Sequence, residues 1–292
     1  MKRRLWIATI IVLAALPAWR SAAAPGLGPE ALIEAERAFA LAADAGTVRD
    51  AFLGYLAPTA VMFQNGPVNA RKLYEARKPG ASRLAWQPAF AAMSSAGDLG
   101  WTTGPWQWRR DRHRHAPDAT GEYTTLWRRQ PDGTLKVVLD MGIDHGAPPA
   151  GTPAPVPVLR ALSGTRSSRG PLAARNALWK ADAAYARVTA AQGHAVAFAA
   201  VATEDARLLR QGTFPVIGRE AARDTLAAHP GTKQLMSTAQ FIADSGDLGY
   251  TYGTLIARSA AGADSSYYLH IWQREGVRPW QLAFELVKPA RE

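Results

Sequence analysis

The sequence predicts an α+β fold built as two tandem rolls, in each of which N-terminal helices pack on one face of a curved antiparallel sheet. A ten-residue pattern occurs twice, as SAGDLGWTTG at 95–104 and as DSGDLGYTYG at 244–253, 149 positions apart. A helical pattern precedes each copy and strand-like segments follow it. Self-similarity over this length indicates a tandem duplication.

The first helix of each copy is predicted by apolar residues that recur at helical spacing. The matched positions are Leu32, Ala35, Phe39 and Ala42 in the first copy and Leu178, Ala181, Tyr185 and Val188 in the second. A second helix follows, and Thr47 with Asp50 resembles the capping box that marks a helix start.

A short strand and a short helix come next in each copy, and longer strands complete it. The turn Pro131-Asp132-Gly133 predicts a hairpin between strands at 123–129 and 135–141. The repeat extends into these strands, where Trp127 matches Trp272 and Asp140 matches Glu285. Because helices come first and antiparallel strands last, each copy is expected to form a roll.

These features together resemble the SnoaL-like branch of the nuclear transport factor 2-like superfamily. The resemblance rests on the N-terminal helices, the GDLG strand start and the terminal hairpin W-x-x-x-x-D-G-x-x-K-V-V-L-D, which runs from Trp127 to Asp140. It covers nearly the whole mature chain, twice, and implies two cone-shaped α+β rolls. It implies no single activity, because the superfamily contains isomerases, cyclases, dehydratases, ligand binders and dimerisation modules.

The first 23 residues are typical of a cleaved export signal. Three basic residues at 2–4 precede an apolar run over 5–16, and the small residues that follow favour cleavage after Ala23. We therefore expect a periplasmic or secreted protein with no integral membrane segment after cleavage. The expected domains are a first roll at 27–145, a linker rich in Pro, Gly and Ser at 146–171, and a second roll at 172–290.

Composition narrows the function classes. The chain has 292 residues, 48% of them hydrophobic, which is enough for two cores, and it contains no cysteine. Disulfides and thiol nucleophiles are therefore excluded. The formal charge is +10, and removing the four basic residues of the signal leaves +6. An exported chain of this modest charge is not expected to bind nucleic acid.

Asp140 is the acid-base candidate in the first copy. In SnoaL-type cyclases the base is an aspartate seven residues after the glycine of the last hairpin turn, and Asp140 stands at that spacing from Gly133. The resemblance extends to Glu285 by alignment, although Gly276 lies nine residues before it. The alternative is that both carboxylates form ordinary ion pairs at a sheet edge.

Strand parity indicates a second candidate. A two-residue turn pairs Thr125 with Asp140, and the alignment then places His270 opposite Glu285. Tyr268 and Trp272 share the face of His270, so a His and Glu dyad beside a tyrosine would suit proton transfer. The alternative is that this face is convex and joins the two copies, while the apolar side packs on the helices; that side comprises Leu269, Ile271, Trp280, Leu282, Phe284 and Leu286.

Aromatic residues suggest a ligand pocket. The chain has ten tryptophans, and Trp106 and Trp108 alternate on one strand so that their side chains share a face. The expected ligand-binding residues are Trp106, Trp108, Tyr123 and Trp127 in the first copy and Tyr268 and Trp272 in the second. The alternative is that these rings fill the core or an interface between sheets.

Neither a metal nor a cofactor is expected. His113 and His115 alternate on a strand, but the four arginines within 109–114 would repel a divalent cation, so this stretch is expected to be a solvated hairpin end. Asp98 and Asp247 lie between glycines and are expected to stabilise their own turns. The sequence contains neither a phosphate-binding glycine loop nor a nucleophile elbow.

Two function classes remain after these exclusions. One is a binding or interaction module for a small apolar or aromatic molecule, in which the two rolls form an internal pseudo-dimer. The other is a cofactor-independent isomerase, cyclase or dehydratase that moves protons on a carbonyl compound.

Overall fold

The computed structural model describes residues 27–149, 151–164, 170–259, 262–276 and 278–290. The export signal expected at 1–23 lies outside these residues. We refer to 27–164 as the first half and to 170–290 as the second half. Within these ranges no helix combines the length and the apolar character needed to cross a membrane.

The first half forms one mixed sheet with three helices. The helices are α1 (Pro29–Ala45), α2 (Val48–Tyr55) and α3 (Ala70–Ala76). The strands are β1 (Leu56–Phe63), β2 (Pro67–Asn69), β3 (Arg83–Trp86), β4 (Phe90–Met93), β5 (Leu99–Arg109), β6 (Ala119–Arg129), β7 (Leu135–His145) and β8 (Val158–Ala161). The strand order is β2-β1-β7-β6-β5-β4-β8, and β3 also pairs with β5.

The second half forms a separate sheet with a similar succession of elements, in which one long strand takes the place of β3 and β4 and, among the described residues, none corresponds to β8. Its helices are α4 (Gly170–Gln192), α5 (His194–Val201) and α6 (Arg219–Ala227). Its strands are β9 (Ala202–Arg210), β10 (Val216–Ile217), β11 (Thr232–Ile242), β12 (Leu248–Ser259), β13 (Gly262–Gln273) and β14 (Gln281–Pro289). The strand order is β10-β9-β14-β13-β12-β11.

The fold class predicted from the sequence is confirmed, with one refinement. Each half is α+β, with helices packed on a curved sheet whose long strands are antiparallel. The sheets are mixed, because β1 pairs in parallel with β7 and β9 pairs in parallel with β14. In each half the first strand lies beside the last strand and runs in the same direction, so these two strands pair in parallel.

Local sequence explains the helix starts and the hairpin. Thr47 caps α2 by accepting the backbone N–H of Asp50 at 3.1 Å, as the capping pattern predicted. In the β6–β7 hairpin Gly133 has φ of 85°, a conformation that glycine adopts without strain. The predicted register is confirmed, since Thr125 pairs with Asp140.

The second hairpin pairs His270 with Glu285, also as predicted, but the prediction of which face is convex was wrong. Leu269, Ile271, Phe284 and Leu286 face away from their own helices and pack against the first sheet. Trp280 and Leu282 do belong to the core beneath the helices, because the register of the two strands shifts between Ile271 and Trp272. Tyr268 and Trp272 belong to the core beneath the helices of the second half, on the same side as His270. The polar residues lie inside because α4 and α5 supply polar partners for them there.

The outer faces of the two sheets share one hydrophobic core. The ring of Trp101 lies 5.2 Å from that of Phe284, and Phe63 lies 5.5 Å from Tyr252, measured between ring centroids. Aliphatic residues fill the space between the aromatic rings on both sheets. Burial of these faces removes from water two apolar surfaces that would otherwise be exposed.

The two GDLG loops hold each other across the halves. The Asp98 carboxylate accepts the backbone N–H of Asp244 at 2.8 Å, and the Asp247 carboxylate accepts that of Ser95 at 2.9 Å. These are equivalent positions of the repeat, so the contact is reciprocal. Asp98 and Asp247 were expected to stabilise their own turns, and they do so through Ser94 and Ser245. The contact across the halves was not expected.

Part of the segment between the rolls forms a strand. Strand β8 adds to the edge of the first sheet by pairing in parallel with β4, and Arg160 in β8 bonds Asp205 in the second half. The segment therefore covers one sheet edge and contacts both halves.

The reciprocal loop contact should contribute to stability. We expect Asp247→Ala to lower the free energy of unfolding by about 2 kcal/mol, because the Ser95 N–H and the Ser245 hydroxyl lose a buried charged acceptor. Asp98→Ala should cost less, since Asp98 is only half-buried. Urea unfolding measures both, with Asp264→Ala at an exposed position of β13 as a control. Equal stability of Asp247→Ala and wild type would contradict the role assigned to this contact.

Candidate functional site

A cavity of about 500 Å³ lies in the first half, between the helices and the concave face of the sheet. We call it the first-half cavity. Aromatic side chains are the largest group in its lining, and they are Phe39, Phe52, Tyr74, Trp86, Trp106, Trp108 and Tyr123. Acidic groups of Glu36, Asp140 and Asp144 and the basic groups of Arg77 and Lys288 also line it. A large apolar cavity with a few polar groups is the usual form of a small-molecule site.

Asp140 lies on the concave face of β7 and lines the first-half cavity. Its carboxylate accepts a hydrogen bond from Thr125 Oγ1 at 2.8 Å. Burial raises its pKa from 3.8 to about 6, although the Thr125 bond and the charge of Lys288 act in the opposite direction. The group is therefore in a cavity and close to the protonation midpoint at near-neutral pH, as a general base requires.

Glu36 is a second buried carboxyl group in this cavity, and the sequence interpretation missed it. It projects from α1, is 0% exposed, and accepts hydrogen bonds from Trp86 Nε1 at 2.6 Å, Trp127 Nε1 at 2.9 Å and Thr102 Oγ1 at 2.5 Å. Burial raises its pKa to about 7 despite these three donors. A signal was present, because the repeat aligns Glu36 with Asp182, an acidic residue on the same apolar helix face.

Tyr123 supplies a polar group that is available to a ligand. Its side chain is buried, and its hydroxyl has no hydrogen-bond partner within the described residues. It lies next to Thr102, whose own hydroxyl is already bonded to Glu36 and to Trp127. A buried hydroxyl without a partner is costly, so a ligand that bonds it would be favoured.

Trp106 lines the first-half cavity because the neighbouring strand has no side chain where the indole lies. A Cβ atom at Gly121 would lie 2.7 Å from Trp106 Cζ2, so only glycine lets the indole rest on the neighbouring strand. Trp108 follows on the same face and is half-buried. Both residues line the first-half cavity as the sequence predicted, whereas Trp127 is fully buried and contributes its N–H to Glu36.

The corresponding interior of the second half is occupied by a buried polar network. His270 Nδ1 lies 2.9 Å from Asp182 Oδ1, and His270 Nε2 lies 3.1 Å from Glu285 Oε2. Burial alone would lower the pKa of His270, but the two carboxylates raise it to about 9. His270 is therefore an imidazolium at neutral pH and is unsuited to accept a proton.

Both carboxylate oxygens of Glu285 have donor groups within hydrogen-bonding distance. Arg210 bonds its Oε1, the Tyr185 hydroxyl donates to Oε2 at 2.6 Å, and His194 Nε2 lies 3.0 Å from Oε1. Burial opposes ionisation of Glu285, but His194 and Arg210 hold its pKa well below the ordinary value. Glu285 therefore remains ionised, and its contacts are structural. The side chains of Tyr268 and Trp272 are also fully buried and contact Asp182.

Substitutions between the copies explain why the two interiors differ. The second half has Tyr185, His194, Arg210 and His270 around Glu285, and the repeat aligns these four positions with Phe39, Val48, Gln64 and Thr125 of the first half. Phe39 and Val48 carry no polar group and Gln64 is exposed, so the interior of the first half has no counterpart of three of the four polar groups. Asp140 faces a cavity instead. The predicted acid-base residues therefore lie in two places. His270 and Glu285 belong to the buried network of the second half, and of the three only Asp140 lines the first-half cavity.

The arginine and histidine stretch lies at the end of the β5–β6 hairpin, in a loop. The backbone N–H of His113 bonds Asp111 at 3.0 Å, and Arg112 donates to the carbonyl oxygen of Asp44 at 3.0 Å. Over the described part of the chain, no group of three His, Asp or Glu side chains is arranged to hold a metal ion.

The Glu36 carboxyl group should make stability pH-dependent. Its folded pKa of about 7 exceeds the ordinary value of 4.5, so its stabilising contribution is complete below about pH 4.5 and is lost as the pH rises through about 7. We expect a loss on the order of 3 kcal/mol in the free energy of unfolding from this group alone. Urea titrations from acid to mildly alkaline pH should show a shallower decline for Glu36→Gln than for wild type. Glu34→Gln, on the exposed side of α1, should keep the wild-type slope, and a wild-type slope in Glu36→Gln would contradict the assignment.

Comparison with known proteins identifies neither a family nor an activity for this chain. No family model and no curated protein matches the chain. Among solved structures, a Catenulispora acidiphila protein in complex with S-DNPA is 19% identical, with a TM-score of 0.35, and covers 41% of this chain and 95% of its own. A ketosteroid isomerase-like protein from Erwinia carotovora atroseptica is 14% identical, with a TM-score of 0.34, and covers 39% of this chain and 94% of its own. A Mycobacterium tuberculosis protein of unknown function is 19% identical, with a TM-score of 0.34, and covers 42% and 78%. These neighbours are of the SnoaL/NTF2-like kind, each covers about two-fifths of this chain, and at these identities the likeness extends to the fold alone.

Proposed function

We propose that the first-half cavity binds a small, flat, apolar or aromatic molecule that carries a hydroxyl or carbonyl oxygen. The observation that carries the proposal is the combination of an aromatic wall with an unpartnered Tyr123 hydroxyl in a cavity of about 500 Å³. Aromatic rings such as Trp106 and Trp108 supply contact area, and Tyr123 fixes the orientation of the oxygen.

We infer that the chain is an exported protein of two tandem SnoaL-like rolls that form an internal pseudo-dimer, with one binding roll and one supporting roll. The shared core between the sheets and the reciprocal bonds of Asp98 and Asp247 support this assembly. The filled interior of the second half supports a structural role for that roll. The basic and apolar pattern of residues 1–23 supports export to the periplasm or the medium.

Binding can be tested with the natural ligand and with a probe. Native mass spectrometry of the purified protein should detect a co-purifying aromatic molecule. We expect 2-naphthol to quench the tryptophan fluorescence of the cavity, and Tyr123→Phe to weaken its binding by about 3- to 10-fold through loss of one hydrogen bond. Tyr267→Phe, outside the cavity, is the matched control. Saturable binding that is equally strong in Tyr123→Phe would rule out this orientation.

A second function, proton transfer without a cofactor, is favoured by one observation. Asp140, whose pKa is about 6, shares the cavity with Tyr123 and with Glu36, whose pKa is about 7 and which is therefore partly protonated at neutral pH. The Asp140 carboxylate would remove a proton from the carbon next to a carbonyl group. The Tyr123 hydroxyl would donate to the enolate oxygen, and Asp140 would return the proton to carbon.

Hydrogen exchange separates this enzyme function from simple binding. In D2O the protein should accelerate exchange of the acidic C–H of 2-tetralone, and Asp140→Asn should lower that rate by at least about 100-fold while leaving affinity nearly unchanged. NMR measures the exchange, and Asp132→Asn in the exposed β6–β7 turn is the control. If wild type does not accelerate exchange of the bound ketone, the protein binds without catalysing this transfer.

A further inference from the structure

Lys288 belongs to the last strand of the second half, yet it lines the first-half cavity together with Asp140. The packing of the two sheets brings it there. Tyr267, its cross-strand neighbour on β13, packs against Phe63 of β1 with ring centroids 5.6 Å apart. The end of β14 is thereby held next to the first half, where β7 carries Asp140.

We propose that Lys288 is a positioning residue that keeps the Asp140 carboxylate ionised, so that the second half sets the proton affinity of the site in the first half. The proposal builds on the assignment of the first-half cavity as the functional site. Its geometric basis is that Lys288 and Asp140 line the same cavity, where protein side chains replace part of the surrounding water and opposite charges interact more strongly than in bulk water.

Comparison of the two interiors supports the proposal. In the second half Arg210, at the end of strand β9 of the same roll, is one of the groups that hold Glu285 ionised. The repeat aligns Arg210 with Gln64, which is uncharged and exposed. The first roll therefore lacks its own cation at this position, and Lys288 brings one from the other roll.

Lys288 acts within a wider set of charges around Asp140. The other ionisable groups that line the cavity are Glu36 on α1, Tyr74 on α3, Arg77 after α3, Tyr123 on β6 and Asp144 on β7. Lys288 lowers the pKa of Asp140, but burial is the larger effect and leaves it raised. Loss of Lys288 should therefore shift the protonation midpoint of Asp140 further upward.

The experiment is a direct titration of Asp140 in the full chain. Aspartate labelled with 13C at Cγ gives one resonance per side chain, and Asp140→Asn identifies the signal of Asp140. We expect Lys288→Met and Lys288→Gln to raise the midpoint by about half a pH unit or more. Lys288→Arg should retain the wild-type midpoint. Lys180→Met, which removes an exposed lysine of the second half, should also leave it unchanged.

The outcomes separate this proposal from the proposed function. An unchanged midpoint in both neutral variants, each with a wild-type far-ultraviolet spectrum, overturns the role of Lys288 whether or not 2-naphthol binds. An upward shift that Lys288→Arg does not produce supports it, even if 2-naphthol fails to bind. An equal shift in Lys180→Met would show a general charge effect and would also overturn the proposal.

Discussion

The packing of the two sheets against each other is the contact on which the rest of the structure depends. Each sheet has an apolar outer face, and each covers most of the other, so the central residues of both faces are removed from water. The contact also determines the interiors, because a sheet with one apolar outer face can direct its polar side chains inward only if its helices supply partners. Glu36 and Asp182 are such partners, one on each first helix, and each bonds a threonine and a tryptophan of the opposing strands.

One scaffold thus carries two different interiors. In the second half the charges of Asp182, Glu285, His270 and Arg210 balance within a buried network, and removing any member would leave an uncompensated charge. In the first half apolar or short side chains replace most of that network, and the space it would occupy is a cavity beside Asp140. The interior of the second half is therefore filled by side chains, whereas the interior of the first half contains a cavity.

The sequence predicted the parts of this arrangement that depend on local patterns. The repeat, the Asp132-Gly133 turn and the period of the strands were enough to derive the pairing of Thr125 with Asp140 and of His270 with Glu285. They were not enough to choose the outer face, because polarity usually marks the solvent side and here marks an interior with buried partners. Glu36 was missed for the same reason, since its hydrogen bonds to Trp86 and Trp127 join residues that are 50 and 91 positions away in the chain.

The proposed site includes residues from both sides of the boundary between the halves. A carboxyl group in an aromatic cavity tends to take up a proton, and a base that is protonated at neutral pH has no lone pair with which to accept another. The first roll contributes Asp140, Tyr123 and the aromatic wall, but at the positions aligned with Arg210 and His270, the two cations beside Glu285, it has the uncharged Gln64 and Thr125. Lys288 restores a positive charge only because Tyr267 and Phe63 hold β14 against the first roll. The second roll therefore does more than cover the outer face of the first sheet, because it also holds the charge of Lys288 near Asp140.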